Sequence, residues 1–256
     1  MPAATPEPFI ALDRVTVAFG ARGPAVLDEV SLDVGRGELV ALIGPSGCGK
    51  STVLNLVSGL LAPRSGAVRV ADPAARMAYV FQRPRLLPWR TVRANVAFGL
   101  QQRDDVGGDI GDRVARALAL VNLEGHEDKY PHELSGGMQQ RAALVRGLAI
   151  DPAVCLLDEP FGALDALTRS YLQEELLGIV RRGGMTTVLV THDIDEALLL
   201  ADRILVMATG GGRIRAEVDV PFGTERSPDA VAAHPDYARL RRELREVLRP
   251  DVAAAA

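Results

Sequence analysis

Apolar and polar residues alternate along the start of the chain in the pattern of β-strands. The alternation covers residues 10–19 and resumes over residues 27–34, on either side of a glycine-rich turn at residues 20–23. A strand with one buried face shows this period of two, because successive side chains point to opposite faces. The two segments therefore predict an antiparallel subdomain.

Three apolar runs further along predict buried strands, at residues 38–43, 154–157 and 187–191. The first is followed by a helical pattern over residues 52–61, and helical spacing also follows the other two. Strands that alternate with helices build parallel sheets. A last pair of strands is predicted at residues 204–207 and 213–218.

Between residues 83 and 150, helical spacing replaces the strand patterns. The helix that begins near Asp112 places three apolar residues on one face: Val114, Leu118 and Val121. The acidic, glycine-rich residues 104–112 are the predicted exposed loop of this region. We therefore expect a helical subdomain inserted into an α/β fold.

The end of the chain carries one predicted amphipathic helix, over residues 236–248. Its apolar residues recur at helical spacing: Tyr237, Leu240, Leu244 and Val247. Such a helix either packs on its own domain or offers a contact to a partner or regulator, and the pattern leaves both open.

Composition and charge narrow the possible partners. The chain of 256 residues is 48% hydrophobic and 24% charged, as in soluble globular proteins, and its net charge of −4 supplies no positive field for nucleic acid. No apolar run approaches the ~18 to 20 residues of a membrane span, and residues 1–8 lack a signal-peptide pattern, so we expect a cytoplasmic location. Cys48 and Cys155 lack the paired spacing of a disulfide framework or zinc site.

A phosphate-binding pattern lies between a predicted strand and a predicted helix. The segment Gly44-Pro-Ser-Gly-Cys-Gly-Lys-Ser51 matches G-x-x-x-x-G-K-[ST]. The candidate ligands are Gly44, Pro45, Ser46, Gly47, Cys48, Gly49, Lys50, Ser51 and Thr52. In this pattern glycine N–H groups face phosphate oxygens, Lys50 reaches the β- and γ-phosphates, and Ser51 binds Mg²⁺. A plain glycine-rich turn is the alternative, but a chain with only two lysines places one of them here.

Two acids, Asp158 and Glu159, end the apolar run that begins at Val154. Parallel sheets present their ligand-binding edge at this end of a strand. Asp158 suits Mg²⁺, directly or through water, and Glu159 suits the activation of an attacking water. Capping or surface acids are the alternative, which a preceding phosphate loop disfavours.

The segment Leu134-Ser-Gly-Gly-Met-Gln-Gln-Arg141 resembles the signature sequence of ABC ATPases. The family's other motifs follow its order: Gln82 in Tyr79-Val-Phe-Gln82, Gly162-Ala-Leu-Asp165, and His192 in Val190-Thr-His-Asp193. The resemblance covers about residues 9–220. It implies a P-loop NTPase fold of the ABC ATPase type, with a parallel β core, an antiparallel β subdomain and an inserted helical subdomain.

The resemblance also implies roles at an ATP site shared by two chains. Ser135, Gly136 and Gly137 would meet the γ-phosphate held by the opposite subunit, although an ordinary helix cap is the alternative. His192 would contact the γ-phosphate and hold the attacking water with Glu159, so these two residues are the predicted catalytic pair.

Three further roles follow from the same resemblance. Gln82 would touch Mg²⁺ and water, and with Ser51 and Asp158 it completes the predicted metal ligands. Asp165 would cross the seam between two subunits, or simply cap a helix. Phe19 would stack on adenine, or pack in the core.

The segments Arg83-Pro-Arg-Leu-Leu-Pro-Trp89 and Thr91-Val-Arg-Ala-Asn95 are similar to ATP-binding subunits of importers for nitrate, sulfonates and taurine. In that family a permease docks where Leu86, Leu87 and Trp89 lie, although internal packing of Trp89 is equally open. The implied partners are a second copy or a paralogous ATPase subunit, membrane permeases and, indirectly, a solute-binding protein. The implied location is the inner face of the cell membrane.

The expected domains are an ABC ATPase domain over residues 1–225 and a helical tail over residues 226–256. Within the first, the nucleotide-binding core covers about residues 9–82 and 151–225, and the helical subdomain about residues 83–150. The alternatives are a soluble ABC ATPase outside transport, an ABC exporter subunit, and a module that binds ATP without hydrolysing it. No fused membrane segment or long regulatory domain is seen, which fits a multi-subunit importer.

Overall fold

The computed structural model describes residues 7–20, 23–102, 109–224 and 226–249. The chain divides into two compact units: unit 1 comprises Met1–Pro73 and Val188–Ala256, and unit 2 comprises Ala74–Thr187. Parts of the predicted loop at residues 104–112 and of the glycine-rich turn at residues 20–23 lie outside the described residues. The domain boundaries drawn from the sequence stay a prediction.

The strands in the described residues are β1 (Ile10–Ala18), β2 (Ala25–Val34), β3 (Leu39–Ile43), β4 (Ser65–Val70), β5 (Met77–Val80), β6 (Val154–Asp158), β7 (Thr186–Thr191), β8 (Arg203–Met207) and β9 (Ile214–Asp219). The helices there are α1 (Lys50–Val57), α2 (Val92–Leu100), α3 (Ile110–Leu120), α4 (Gly136–Leu148), α5 (Ala166–Gly183), α6 (Ile194–Leu200), α7 (Pro228–Ala233) and α8 (Tyr237–Leu248). A short 3₁₀ turn, Pro131–Glu133, precedes α4.

Unit 1 contains a three-stranded antiparallel sheet in the order β2-β1-β4. Ile10 of β1 lies opposite Val34 of β2 and Val70 of β4. The residues of β1 that face the interior, such as Ile10 and Leu12, are buried, as the alternating pattern predicts. The predicted antiparallel pair is confirmed, and β4 adds a third strand that sequence patterning missed because its side chains are mostly exposed.

The second sheet region of unit 1 has the order β7-β3-β8-β9. Strands β3 and β8 are parallel, with Val40 opposite Arg203. Strand β9 runs antiparallel to β8, and these two form the last strand pair that the sequence predicts. All five residues of β3 are buried, which explains its uninterrupted apolar run. Helix α6 packs against β3.

The C-terminal helices belong to unit 1 and pack against α6. Leu240 and Leu244 of α8 and Val231 of α7 are buried there. Helix α8 therefore packs on its own unit, which was one of the two possibilities that its amphipathic pattern left open.

Unit 2 pairs β5 with β6 in parallel, with Tyr79 opposite Leu156. Helices α2, α3 and α4 pack on one another, and the described residues between positions 83 and 150 contain no strand. Val114 and Leu118 are buried on one face of α3, as their spacing predicts. Four helices of this unit begin at side-chain caps: Thr91, Asp109, Ser135 and Asp165.

None of the helices in the described part of the chain has the length and the apolar composition that a membrane crossing requires.

Candidate functional site

The phosphate loop connects β3 to α1, and two of its glycines are required by close neighbours. A Cβ on Gly44 would lie 2.5 Å from the carbonyl oxygen of Met207. A Cβ on Gly49 would lie 2.6 Å from Cδ2 of Leu27, and Gly49 also has φ +103°, which L-residues rarely adopt. The loop can therefore hold this conformation only with glycine at both positions.

Lys50 turns its side chain back into the curve of the loop. Its Nζ donates hydrogen bonds to the carbonyl oxygens of Gly44, at 2.7 Å, and Pro45, at 2.9 Å. The Lys50 side chain is buried, and Nζ lies 3.9 Å from Sγ of Cys48, which is buried as well. The ammonium group is thus held inside the G-x-x-x-x-G-K loop by two of the loop's own carbonyl oxygens.

The rest of the loop faces solvent. Ser46, Gly47 and Ser51 are exposed, and Thr52 is half-buried. Gly49 caps α1 with its backbone alone, and no acidic residue lies in the first turn of α1. The first N–H groups of α1 consequently face the loop without a competing carboxylate, as an anion site requires.

His192 and Phe19 are the other predicted site residues of unit 1, and both are exposed. His192 follows directly on the last residue of the buried strand β7, and Asp193 then caps α6. Phe19 lies just beyond β1 and is 61% exposed, so the alternative of core packing does not hold for its ring. Both rings are accessible to a ligand.

In unit 2 the fully buried strand β6 ends at Asp158, and Glu159 follows directly after it. Asp158 is buried, whereas Glu159 has φ +46°, a rare conformation for a residue with a side chain. Gln82 Nε2 donates a hydrogen bond to Glu159 Oε2 at 3.0 Å. The structure thus joins Gln82 and Glu159, which lie 77 positions apart in the sequence.

Tyr79 of β5 lies close enough to Asp158 to feel its charge. Burial raises the pKa of its hydroxyl well above the usual range, and the Asp158 carboxylate raises it further. The phenol therefore stays protonated.

The signature segment begins α4 in unit 2. Ser135 is the N-cap, and its Oγ accepts a hydrogen bond from Met138 N at 3.3 Å. Ser135 and Gly136 are exposed, and a Cβ on Gly136 would meet no described atom within 4 Å. Ser135 thus serves as the ordinary helix cap that the sequence left possible, while the surface beside it stays open.

Asp165 is exposed and caps α5, accepting a hydrogen bond from Thr168 N at 3.0 Å. The Thr168 backbone N–H holds the pKa of this carboxyl below its ordinary value. Asp165 therefore caps a helix within the single chain, as the sequence left possible, and its carboxylate is still accessible to solvent.

The loop before α2 carries an exposed aromatic side chain, and it is bonded by a buried residue of α2 that sequence reasoning did not single out. Trp89 is 72% exposed, so it is not packed internally. Asn95 is fully buried, its Oδ1 accepts from Leu87 N at 2.7 Å, and its Nδ2 donates to three loop carbonyls, those of Leu87, Arg90 and Thr91. An asparagine as the fourth residue of a mostly apolar helix was the only signal that could have revealed this role.

The predicted metal ligands can be tested by their donor chemistry. Ser51, Gln82 and Asp158 offer a hydroxyl, an amide and a carboxylate oxygen, and Mg²⁺ prefers oxygen ligands. Because Gln82 uses its Nε2 for Glu159, its amide oxygen remains the atom suited to a cation. No group of three or more His, Cys, Asp or Glu side chains in the described residues could hold a metal ion.

The comparison with known families is decisive. The family model described as ABC transporter matches residues 27–162. The chain belongs to the ABC transporter family. Its phosphate loop, the Asp158-Glu159 pair and the signature segment all lie within the matched region.

Relatives within the ABC family are similar over most of the chain. The nitrate import ATP-binding protein NrtC of Synechococcus elongatus is 46% identical over 247 residues, which cover 92% of this chain and 38% of that protein. The taurine import ATP-binding protein TauB of Chromobacterium violaceum is 45% identical over 241 residues, covering 91% of this chain and 92% of that protein. This chain thus spans well under half of NrtC and nearly all of TauB.

Solved structures of ABC cassettes share the fold. The dimeric structure of MJ0796, a bacterial ABC transporter cassette, matches with a TM-score of 0.75 and 33% identity, covering 82% of this chain and 98% of that one. A dimeric post-hydrolysis state of MJ0796 bound to ADP and Pi matches with a TM-score of 0.74 and 31% identity, at the same coverage. The predicted ABC ATPase fold class is confirmed.

Proposed function

We propose that this chain is the ATP-hydrolysing subunit of a multi-subunit ABC importer for a small solute such as nitrate, a sulfonate or taurine. The observation that carries the hydrolysis is the pair at the end of β6, where Gln82 orients Glu159 beside the buried Asp158. Support for import comes from relatives at 44 to 46% identity that are named import ATP-binding proteins for nitrate and taurine.

In this proposal the phosphate loop binds the β- and γ-phosphates of ATP. Loop N–H groups and the start of α1 face the phosphate oxygens, and Lys50 exchanges its two carbonyl contacts for contacts to phosphate. The exposed Phe19 ring stacks on adenine. Ser51, Gln82 and Asp158 would hold Mg²⁺ through their oxygen atoms, and the ion would neutralise phosphate charge.

A second copy of the chain completes each ATP site. At the start of α4, Ser135 and Gly136 are exposed and Gly137 is half-buried, and this helix start suits the γ-phosphate held by the opposite phosphate loop. In the same proposal Asp165 lies at the seam between the two chains. A ligand bound only by the dimer stabilises the dimer by mass action. Dimeric solved cassettes with a TM-score of 0.74 to 0.75 support this arrangement.

Hydrolysis needs a base and a group that holds the γ-phosphate. Glu159 accepts a proton from the attacking water, and the exposed His192 imidazole contacts the γ-phosphate. Gln82, bonded to Glu159, lies at the start of the helical region and passes the loss of γ-phosphate to it.

Transport follows from closing and reopening of the dimer. A membrane permease docks on the exposed Trp89 surface of unit 2. This contact keeps the chain at the inner face of the cell membrane, and a solute-binding protein acts indirectly through the permease.

The proposed domains are an ATPase domain over residues 1–225, with its helical subdomain at about 83–150, and a tail from residue 226.

The test of hydrolysis is Glu159→Gln, with Glu174→Gln on the exposed face of α5 as the matched control. We expect Glu159→Gln to lower phosphate release by about 100-fold or more, because a general base contributes about 10² to 10⁴ in rate, and to keep MgATP binding. Normal turnover in Glu159→Gln would contradict the base assignment. Binding of ATP without measurable turnover by the unaltered chain would instead identify a nucleotide-dependent interaction module.

Transport is tested by isolating the tagged full chain from its native cells in gentle detergent with MgATP. Recovery of a polytopic membrane protein supports the proposal and points to the solute. Recovery of soluble partners or ribosomes alone would overturn the transport function and leave the ATPase site intact.

A further inference from the structure

The first turn of α6 is held by side chains from the C-terminal helix α8. Asp195 of α6 accepts a hydrogen bond from the Tyr237 hydroxyl at Oδ1, over 2.8 Å. Arg241 donates from Nε to Asp195 Oδ1 at 2.5 Å and from Nη2 to Oδ2 at 2.8 Å. This two-pronged contact fixes the plane of the carboxylate as well as its position.

The electrostatics of this cluster agree with its geometry. The Arg241 guanidinium, followed by the Tyr237 hydroxyl, lowers the pKa of the Asp195 carboxyl against the opposing effect of burial. Burial and the hydrogen bond to Asp195 raise the pKa of Tyr237. Asp195 is therefore charged and Tyr237 protonated at neutral pH, so each donor keeps its acceptor.

The C-terminal end of α6 is held by Arg226, which precedes α7 in the sequence. Arg226 has a side chain only 2% exposed, and its Nη1 donates to the carbonyl oxygens of Leu199, at 3.4 Å, and Ala201, at 2.5 Å. Carbonyls at a helix end lack partners within the helix, so this arginine satisfies groups that would otherwise be buried alone. With only seven residues, α6 is too short to be stable by itself, and its position depends on such contacts.

His192 precedes this helix and is tied to it through the backbone. Asp193 N donates to Thr191 Oγ1 at 3.0 Å, and Asp193 Oδ1 accepts from Asp195 N at 2.9 Å and Glu196 N at 3.2 Å. The residues on both sides of His192 are thus fixed relative to the first turn of α6. The backbone on either side of His192 is therefore connected to a turn that Tyr237 and Arg241 hold.

We propose that residues 226–249 form a positioning clamp for His192, in which Tyr237 and Arg241 act through Asp195. The proposal rests on the proposed function, because it takes the contact of His192 with the γ-phosphate as given. In this proposal Tyr237 and Arg241 act only through their contacts with Asp195. Loosening the clamp should therefore lower kcat while ATP affinity, set by the phosphate loop, stays unchanged.

The first test compares Arg241→Ala with Arg242→Ala in the purified full-length chain. Arg242 is the next residue of α8, is exposed, and forms no ion pair with the described residues. We expect Arg241→Ala to lower kcat about tenfold, since a displacement of 1 Å can cost up to about 100-fold, with KM and nucleotide Kd within about twofold of the original chain. Arg241→Lys keeps the positive charge but loses the two-pronged guanidinium contact, so its kcat should lie between that of Arg241→Ala and that of the original chain.

Amide exchange supplies a readout that does not depend on turnover. Peptides covering residues 191–200 should exchange faster in Arg241→Ala than in Arg242→Ala, because the capped turn opens more often. Equal exchange and equal kcat in the two variants would overturn the clamp. If Arg241→Ala weakened nucleotide binding as much as it lowered kcat, the clamp would also be overturned, because that result would show general damage to the fold.

A double variant separates this proposal from the function on which it rests. If Arg241 acts through His192, adding Arg241→Ala to His192→Ala should cause no further loss of kcat. An additive loss would contradict the clamp. Normal turnover in His192→Ala alone would remove the proposed role of His192 and the clamp with it, whereas an inactive His192→Ala with a normal Arg241→Ala would remove only the clamp.

Discussion

The phosphate loop and the signature loop both place glycines before a helix, yet these glycines have different surroundings. In the phosphate loop, a Cβ on Gly44 would approach the Met207 carbonyl oxygen to 2.5 Å, and one on Gly49 would approach Leu27 to 2.6 Å. In the signature loop, a Cβ on Gly136 meets no described atom within 4 Å, and the nearest atoms to one on Gly137 lie at 3.4 Å. The chain's own packing requires the first pair and is indifferent to Gly136.

This difference separates two reasons for a glycine. The phosphate loop uses glycine to fold, since its backbone passes close to β8 and to the side chain of Leu27. At Gly136 the single chain has no such need, and the need has to come from something that approaches the loop from outside. A phosphate brought by a second copy of the chain is the approach that we propose.

The largest loss of stability is expected for Gly49→Ala. The left-handed backbone costs an L-residue about 1 to 2 kcal/mol, and forcing a methyl group into the contact with Leu27 costs about 1 to 3 kcal/mol more. We therefore expect the free energy of unfolding, measured by urea denaturation without nucleotide, to fall by about 3 kcal/mol.

Gly47→Ala is the control for this prediction. Gly47 has φ +80°, but a Cβ there would meet no described atom within 4 Å. Only the backbone cost of about 1 to 2 kcal/mol should remain. Equal losses at the two positions would contradict the importance of the contact between Gly49 and Leu27.

A smaller effect, distinguished by its pH dependence, is expected for the helix cap Asp165. The Thr168 N–H lowers the pKa of Asp165 in the folded chain below its value in the unfolded chain, which is about 3.9. The stabilisation by this cap is therefore complete above the unfolded pKa and is lost as pH falls through the folded pKa. The difference in Tm between the original chain and Asp165→Ala should therefore close below about pH 4.

The uncharged cap Ser135 provides the comparison. Its hydroxyl makes the same kind of contact, to Met138 N, and does not titrate in this range. Ser135→Ala should cost about 1 kcal/mol at every pH. A cost at Ser135 that also disappears in acid would show that the pH effect at Asp165 has another origin.

The smallest change in stability is expected for Gly136→Ala, and here the comparison is tested most directly. Alanine at the first position of α4 has room and lowers the entropy of the unfolded chain, so stability should rise by about 0.4 to 1 kcal/mol. Dimer formation with MgATP, measured by light scattering in the Glu159→Gln background, should be lost. A stable variant that still dimerises would mean that Gly136 faces no partner-held phosphate.

The parts of the fold that sequence predicted are those set by local patterns. The uninterrupted apolar run of β3 and the glycine and lysine spacing of the phosphate loop are readable because each depends on neighbours along the chain. The short helix α7 and the exposed strand β4 were missed because their patterns are weak.

Contacts between residues far apart in the sequence could not be predicted, because local patterns carry no information on them. The hydrogen bond from Gln82 to Glu159 spans 77 positions, and the one from Arg241 to Asp195 spans 46. Family resemblance pointed to Gln82 and Glu159 separately, but their pairing follows from the parallel alignment of β5 and β6. Nothing in the tail pattern distinguished Arg241 from the other arginines of α8.

The single amide of Asn95 has a consequence for how fast a partner can bind. By bonding Leu87, Arg90 and Thr91 from within, it keeps the loop that presents Trp89 in one shape before any contact is made. A surface that is already ordered loses little conformational entropy on association. A larger share of encounters with a partner can therefore lead to binding, because the loop does not have to fold first. If a partner docks at Trp89 as we propose, the association rate should therefore be set by orientation and diffusion, as for two rigid bodies.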